Sequence, residues 1–186
     1  MKGVTLEELR QLALDSKASL WQKACSLNRE VKLYLHWSAG HYGQFFDDYH
    51  INIDRDGSVY VSTEDLSAVL AHTWRRNTGS VGMALACCYG ATTKDLGNEP
   101  PTAAQMEAMA QVISVLASVL GIPIDLQHVL THGEAGDNMD GLDITEKYGM
   151  NSTCERWDIA ILHTGDGWGS GGDILRGKAI WYQYHS

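Results

Sequence analysis

VKLYLHW, residues 31–37, sets Val31, Leu33, Leu35 and Trp37 on one side and Lys32, Tyr34 and His36 on the other. That period of two marks a half-buried strand ending at His36. Downstream, residues Tyr49 to Asp54 alternate again, and the turn signal Arg55, Asp56, Gly57 leads into Val59, Tyr60 and Val61, so a hairpin follows. The apolar run from Val81 to Cys88 has no helical period and reads as a central strand. Upstream, Thr5 with Glu8 makes a capping box, and Leu6, Leu9, Leu12 and Ala13 follow at helical spacing. Behind Pro100 and Pro101, Thr102 with Gln105 makes a second one, ahead of an apolar helix from Met106 to Leu120 that Gly121 ends. Sheet character in the first half and a long helix in the second give a mixed α/β fold, a central sheet covered by helices.

The remaining stretches carry less signal. Residues Glu134 to Asn151 are rich in Gly, Asp and Asn without a period, which predicts a long surface loop. Ile159 to Leu162 is apolar, Thr164 to Asp173 is glycine-rich, and Ile180 to Tyr184 is strand-like. No internal repeat is present.

With 186 residues and 44% hydrophobic content the chain can bury one good core. A net charge of −9 argues against a nucleic-acid surface, and the only adjacent arginines are Arg75 and Arg76. The longest strongly apolar stretch, Val112 to Leu120, falls below the roughly 20 residues that span a bilayer, so no membrane segment is expected. The opening MKGVTLEELRQLALDSK holds acidic residues where a secretory signal has its apolar core, so no export signal is expected. Cys25, Cys87, Cys88 and Cys154 form no CxxC pair and read as reduced thiols, mostly buried.

The chemistry rests on three scattered residues: His36 at the strand end, His132 in LTHGE and Asp158 in ERWD. Two imidazoles and one carboxylate leave a tetrahedral zinc with its fourth position open to water, as a hydrolase requires. His128 and His132, four apart, compete as a helical zinc pair, but Val129, Leu130 and Thr131 between them favour an extended segment. Asp158 has the alternative of pairing with Arg156 or capping a helix that begins at Ile159.

The runs LHWSAG, YHINIDRDGSVY, AHTWRRNTGSVGMAL and LTHGE followed by RWDIAIL stand in the order in which the zinc-dependent N-acetylmuramoyl-L-alanine amidases of type 2 carry similar motifs. The chain resembles that family, which includes the peptidoglycan recognition proteins and phage lysozyme-like amidases, from about Leu33 to Leu162. The resemblance implies a mixed sheet flanked by helices, with residues 1–28 a helical extension and 29–186 the zinc amidase domain. It also implies Zn2+ held by His36, His132 and a third ligand, and hydrolysis of the amide between N-acetylmuramic acid and L-alanine in peptidoglycan. The third ligand is Asp in some members and Cys in others, and the chain offers both Cys154 and Asp158. Asp158 is preferred because it directly precedes an apolar helix start and because Arg156 then lies two residues ahead, where the family commonly has a cation that stabilises the oxyanion.

By the same resemblance Tyr49 sits near the metal water, and His72 lines the groove, with Asn77 on the same loop. Trp74 is a further groove candidate, an indole suited to stacking on a sugar. One departure concerns the general base. Relatives near the bacterial recycling amidases carry a glutamate near the end of the third strand, and the matching position here, Ala86, takes no proton. Either Tyr49 and zinc suffice, or Glu134 substitutes, or the protein binds peptidoglycan without cutting it. A cysteine peptidase built on Cys87 or Cys88 with His132 disagrees with thiols in an apolar strand. The expected setting is synthesis in the cytoplasm and action on the cell wall, from a phage, lysis or a secretion system; oligomeric state is left open.

Overall fold

The structure is a computed structural model and describes residues 1–147, 149–151 and 156–185. In chain order the elements are β1 (Lys2–Val4), α1 (Leu6–Cys25), β2 (Lys32–Trp37), β3 (Ile51–Ile53), β4 (Val59–Val61), β5 (Ser80–Leu85), α2 (Ala103–Leu120), β6 (Val129–Thr131), α3 (His132–Gly136) and α4 (Ser170–His185). The six strands form one mixed sheet in the order β1-β4-β3-β5-β2-β6. β2 is parallel to both β5 and β6, β3 is parallel to β5, and the β3–β4 hairpin and β1 are antiparallel additions at one edge.

Both capping boxes are present. The Thr5 hydroxyl accepts from Glu8 N and the Glu8 carboxylate from Thr5 N, and Thr102 and Gln105 do the same for α2. Gly121 ends α2 in the left-handed conformation at φ 73°, which costs glycine nothing. Leu9, Ala13, Leu20 and Ala24 of α1, the buried side of α2, Leu175 and Ala179 of α4, and the odd-numbered residues of β2 and β5 share one hydrophobic cluster. The first 28 residues thus supply a sheet strand and a core helix, and Trp21 Nε1 donates to the Leu120 carbonyl at 2.9 Å.

Four sequence expectations are corrected. β2 is not half-buried: its even face is covered too, with Lys32 6%, Tyr34 1% and His36 0% exposed, because loops lie over the side opposite the helices. α2 does meet the length and composition of a bilayer span, yet 67% of its 18 residues are buried, as in a core helix. Ile180 to Tyr184 belongs to helix α4 rather than a strand. Its β-favouring aromatics and isoleucines face outward, while Leu175, Arg176 and Ala179 recur at helical spacing on the buried side. Ile159 to Leu162 forms no helix: it is a buried turn with Ile159 at φ 63°.

The stretch expected as a surface loop starts with α3 and is anchored inward. Asp140 Oδ1 and Oδ2 accept from Arg76 Nη2 and Nε, each at 2.9 Å, and Arg76 Nη1 donates to the Ile144 carbonyl at 2.9 Å. Arg76 and Asp140 are 1% and 3% exposed, so this pairing of buried charges nails the loop to the even face of the sheet.

Candidate metal centre

Strand register brings the two histidines together. β2 and β6 run parallel with Leu35 opposite Thr131, so the next step places His36 beside His132 at the carboxyl ends of both strands. Their ring centroids are 4.8 Å apart at 78°. His132 is also the first residue of α3, whose N-cap Thr131 accepts from Glu134 N. Gly133 follows because a Cβ there would lie 2.7 Å from the Arg156 carbonyl oxygen and from Met150 Cβ, so glycine lets the Arg156 segment close over the site.

Asp158 enters from the turn before α4. That turn is held by Ala160 N on the Trp157 carbonyl at 2.9 Å and by Gly169 N on the Ala160 carbonyl at 2.9 Å. Its Oδ2 lies 2.9 Å from His36 Nδ1 and its Oδ1 3.4 Å from His132 Nδ1. The three residues offer ligand atoms within 4.8 Å of one another. Burial alone would raise the Asp158 carboxyl, but the two imidazoles hold it well below the usual carboxylate range. Burial pushes the His36 imidazole down toward its neutral form.

The donor set suits zinc. Two imidazoles and an anionic carboxylate offer ligand atoms within 4.8 Å of one another, and donors bonded to tetrahedral zinc at about 2.0–2.2 Å stand roughly 3.3–3.6 Å apart, so small side-chain shifts would bring the three onto one ion. Of the outer ring nitrogens, His36 Nε2 meets Thr73 Oγ1 at 3.2 Å, whereas His132 Nε2 has no hydrogen-bond partner among the described residues.

Two clefts of about 250 and 420 Å³ open beside this trio and share Tyr49, His132 and Arg156. Trp37, Cys88, Trp157 and Asp158 line the smaller, and Asp48, His72, Thr73, Trp74 and Asn77 the larger. Tyr49 lies with its ring centroid 5.0 Å from that of His36, and burial, with Asp158 and Asp48 nearby, pushes its hydroxyl far above the ordinary phenol range. Arg156 Nε lies 3.4 Å from Glu146 Oε1, with 38% of the arginine side chain exposed to the clefts. Trp74 is 51% exposed under the Arg75 guanidinium, 5.3 Å from its ring centroid.

Other expected site residues have further contacts. Glu134 faces away from the trio: its oxygens accept from Arg176 Nη1 and Nη2, each at 2.8 Å, and from Thr131 N at 2.8 Å. A carboxylate held by a buried guanidinium and a backbone amide is committed to that pairing, so the structure gives no support to Glu134 as the substitute base. Asn77 shapes its loop, its Oδ1 accepting from the amides of His72 at 3.1 Å and Thr73 at 2.8 Å. His72 is 5% exposed and lies flat over β5, where only glycine fits: a Cβ on Gly82 would come within 2.3 Å of its ring. The residue beside His36 across the sheet is Ala84, not Ala86, and both are fully buried alanines. His128 is engaged by Asp125 and Glu30, each at 2.7 Å, and the extended reading of Val129 to Thr131 holds. Cys154 lies outside the described residues. Thr73, Ser80 and Glu146 escaped the sequence reading; nothing but Thr73's place beside His72 in AHTW marked them.

A search of the curated proteins found no match. Among solved structures the chain is similar to the endolysin N-acetylmuramoyl-L-alanine amidase LysCS from Clostridium intestinale URNW, at 18% identity, covering 56% of this chain and 69% of that one, with a TM-score of 0.42. The family model for N-acetylmuramoyl-L-alanine amidase, Amidase_2, matches residues 15–149, a span that holds His36, Tyr49, His72 and His132 and stops short of Arg156 and Asp158. Matched over well more than half its length, the chain belongs to the Amidase_2 family of N-acetylmuramoyl-L-alanine amidases.

Proposed function

We propose that this protein hydrolyses the amide between N-acetylmuramic acid and L-alanine of peptidoglycan at the His36–His132–Asp158 centre, acting on the cell wall. The observation that carries this reading is the convergence of two imidazoles and a carboxylate at the junction of two clefts, with an arginine and a tyrosine over the same point. His36, His132 and Asp158 would hold a zinc ion, which would supply a Lewis acid and lower the pKa of a bound water to about 7.

The chain's own groups do the rest. His36 and His132 would offer ring nitrogens to the ion, and the anionic Asp158 would offset part of its charge. As the carbonyl of the scissile amide gathers negative charge, Arg156 is the permanent cation on the shared wall of both clefts. The Tyr49 hydroxyl keeps its proton throughout the neutral range, so it acts as a hydrogen-bond donor rather than as a base. Neither Ala86 nor its neighbour Ala84 carries a group that takes a proton, and Glu134 is engaged by Arg176, so none of them is offered as a carboxylate base. Trp74, exposed at the mouth of the larger cleft, offers a stacking face for a sugar ring.

The test is digestion of purified peptidoglycan by the protein as isolated, after chelation, and after zinc is restored. Chelator-sensitive, zinc-rescued release of stem peptide bearing a free L-alanine amine is the expected result. Binding to peptidoglycan with no release under any of the three conditions would instead make the protein a recognition module.

A further inference from the structure

Behind His36 runs a chain of buried polar side chains. His36 Nε2 lies 3.2 Å from Thr73 Oγ1, Thr73 Oγ1 lies 2.9 Å from His72 Nδ1, and His72 Nε2 lies 3.4 Å from Ser80 Oγ. Ser80 Oγ then meets two backbone carbonyls, of Arg76 at 2.7 Å and Asn77 at 3.0 Å. His36, His72, Thr73 and Ser80 are at most 5% exposed.

The two carbonyls favour one direction for the protons of this chain. A carbonyl only accepts, so the single Ser80 hydroxyl proton goes to one of them, and Ser80 Oγ is left to accept from His72 Nε2–H. His72 Nδ1 then carries a lone pair and accepts the Thr73 hydroxyl proton. Thr73 Oγ1 in turn accepts from His36 Nε2–H, which leaves the lone pair of His36 on Nδ1, the atom 2.9 Å from Asp158. Asp158 alone pulls the opposite way, since its carboxylate draws a proton onto Nδ1 and would block the ligand atom. The chain opposes that pull at a position where an error of tautomer closes the site.

We infer that Thr73, relayed through His72 and Ser80, is a positioning residue that holds His36 in the Nε2–H tautomer and so keeps Nδ1 open for the metal. This rests on the metal centre proposed above. It also gives His72 a role behind the histidine ligand rather than toward substrate. Loss of such an outer partner typically costs about 10–100-fold in metal affinity.

The experiment is zinc titration of the metal-free protein, with 15N NMR of the histidine rings in the same samples, on wild type, Thr73→Val, Thr73→Ser and Ser80→Ala. Thr73→Val is expected to bind zinc about 10–100-fold more weakly and to move the His36 proton from Nε2 to Nδ1. Thr73→Ser, which keeps the hydroxyl, is expected to stay near wild type in both readouts. Ser80→Ala frees the His72 proton and gives a smaller loss, which keeps the inference testable should Thr73→Val not fold. Wild-type zinc affinity and an unchanged His36 tautomer in Thr73→Val, or in Ser80→Ala if only that variant folds, would overturn the inference while leaving the metal centre intact. A wild-type protein that binds no zinc would overturn both.

Discussion

The site has a floor and a rim, and the two are built differently. His36 on the floor is fully buried in a central strand, flanked by β5 and β6 in register and braced from behind by Thr73. The rim groups come from turns: Asp158 from the bend at Ile159, and Arg156 from a segment that closes over Gly133. The floor is positioned by backbone ladders. The rim is positioned by side-chain anchors, Arg76 with Asp140 and Arg156 with Glu146. Precision on the floor therefore comes from the sheet, and on the rim from paired charges, which are easier to break one at a time.

The sharpest way to break this contrast is to remove a ligand from each side. His36→Ala and Asp158→Ala are both expected to lose stoichiometric zinc and to lower cleavage by well over the roughly 100-fold that loss of an outer partner costs. Metal content and peptide release report both. A floor variant that kept its zinc would show that the strand end is not the anchor of the site.

Arg156→Ala is expected to leave zinc content unchanged and to reduce kcat on the order of 100-fold, with a smaller change in KM, because its partner develops only as the amide oxygen gains charge. An equal loss in zinc content would move Arg156 from chemistry to structure.

Asp140→Asn tests the rim's anchoring. Leaving Arg76 buried without its carboxylate is expected to cost about 3–5 kcal/mol in urea unfolding. Burial raises the Asp140 carboxyl, but Arg76 more than offsets this and holds it below its usual value. Its contribution is thus present above the unfolded carboxylate pKa of about 3.9 and is lost as pH falls through the lower folded value. Wild type should show that loss on acidification, and Asp140→Asn should not. The smallest effect is expected for Trp74→Ala, which leaves stability within about 0.5 kcal/mol and raises KM alone.

The floor and the rim groups themselves were legible in the sequence, and the anchors that hold the rim were not. Alternation in residues 31–37 and the uninterrupted apolar run after Val81 give β2 and β5, because a strand's faces follow from a period of two. The two capping boxes and Gly121 mark α1 and α2 by local hydrogen bonding alone. His36, His132 and Asp158 were proposed from residue type and order, and the structure gathers them. What escaped depends on contacts distant in sequence. Glu134 reads as a free carboxylate until Arg176, 42 residues on, takes both its oxygens. β1 is three residues long and exists only because β4 offers it an edge. α4 was obscured by outward-facing aromatics that favour strands, and Thr73 by having no motif of its own.

Whether floor and rim meet at one metal held by His36, His132 and Asp158 can be read from X-ray absorption at the zinc edge of the loaded protein. The expected shell holds two imidazole nitrogens and carboxylate or water oxygens at about 2.0–2.2 Å, with no sulfur. A zinc–sulfur shell at about 2.3 Å would contradict it and assign the third ligand to a cysteine instead of Asp158.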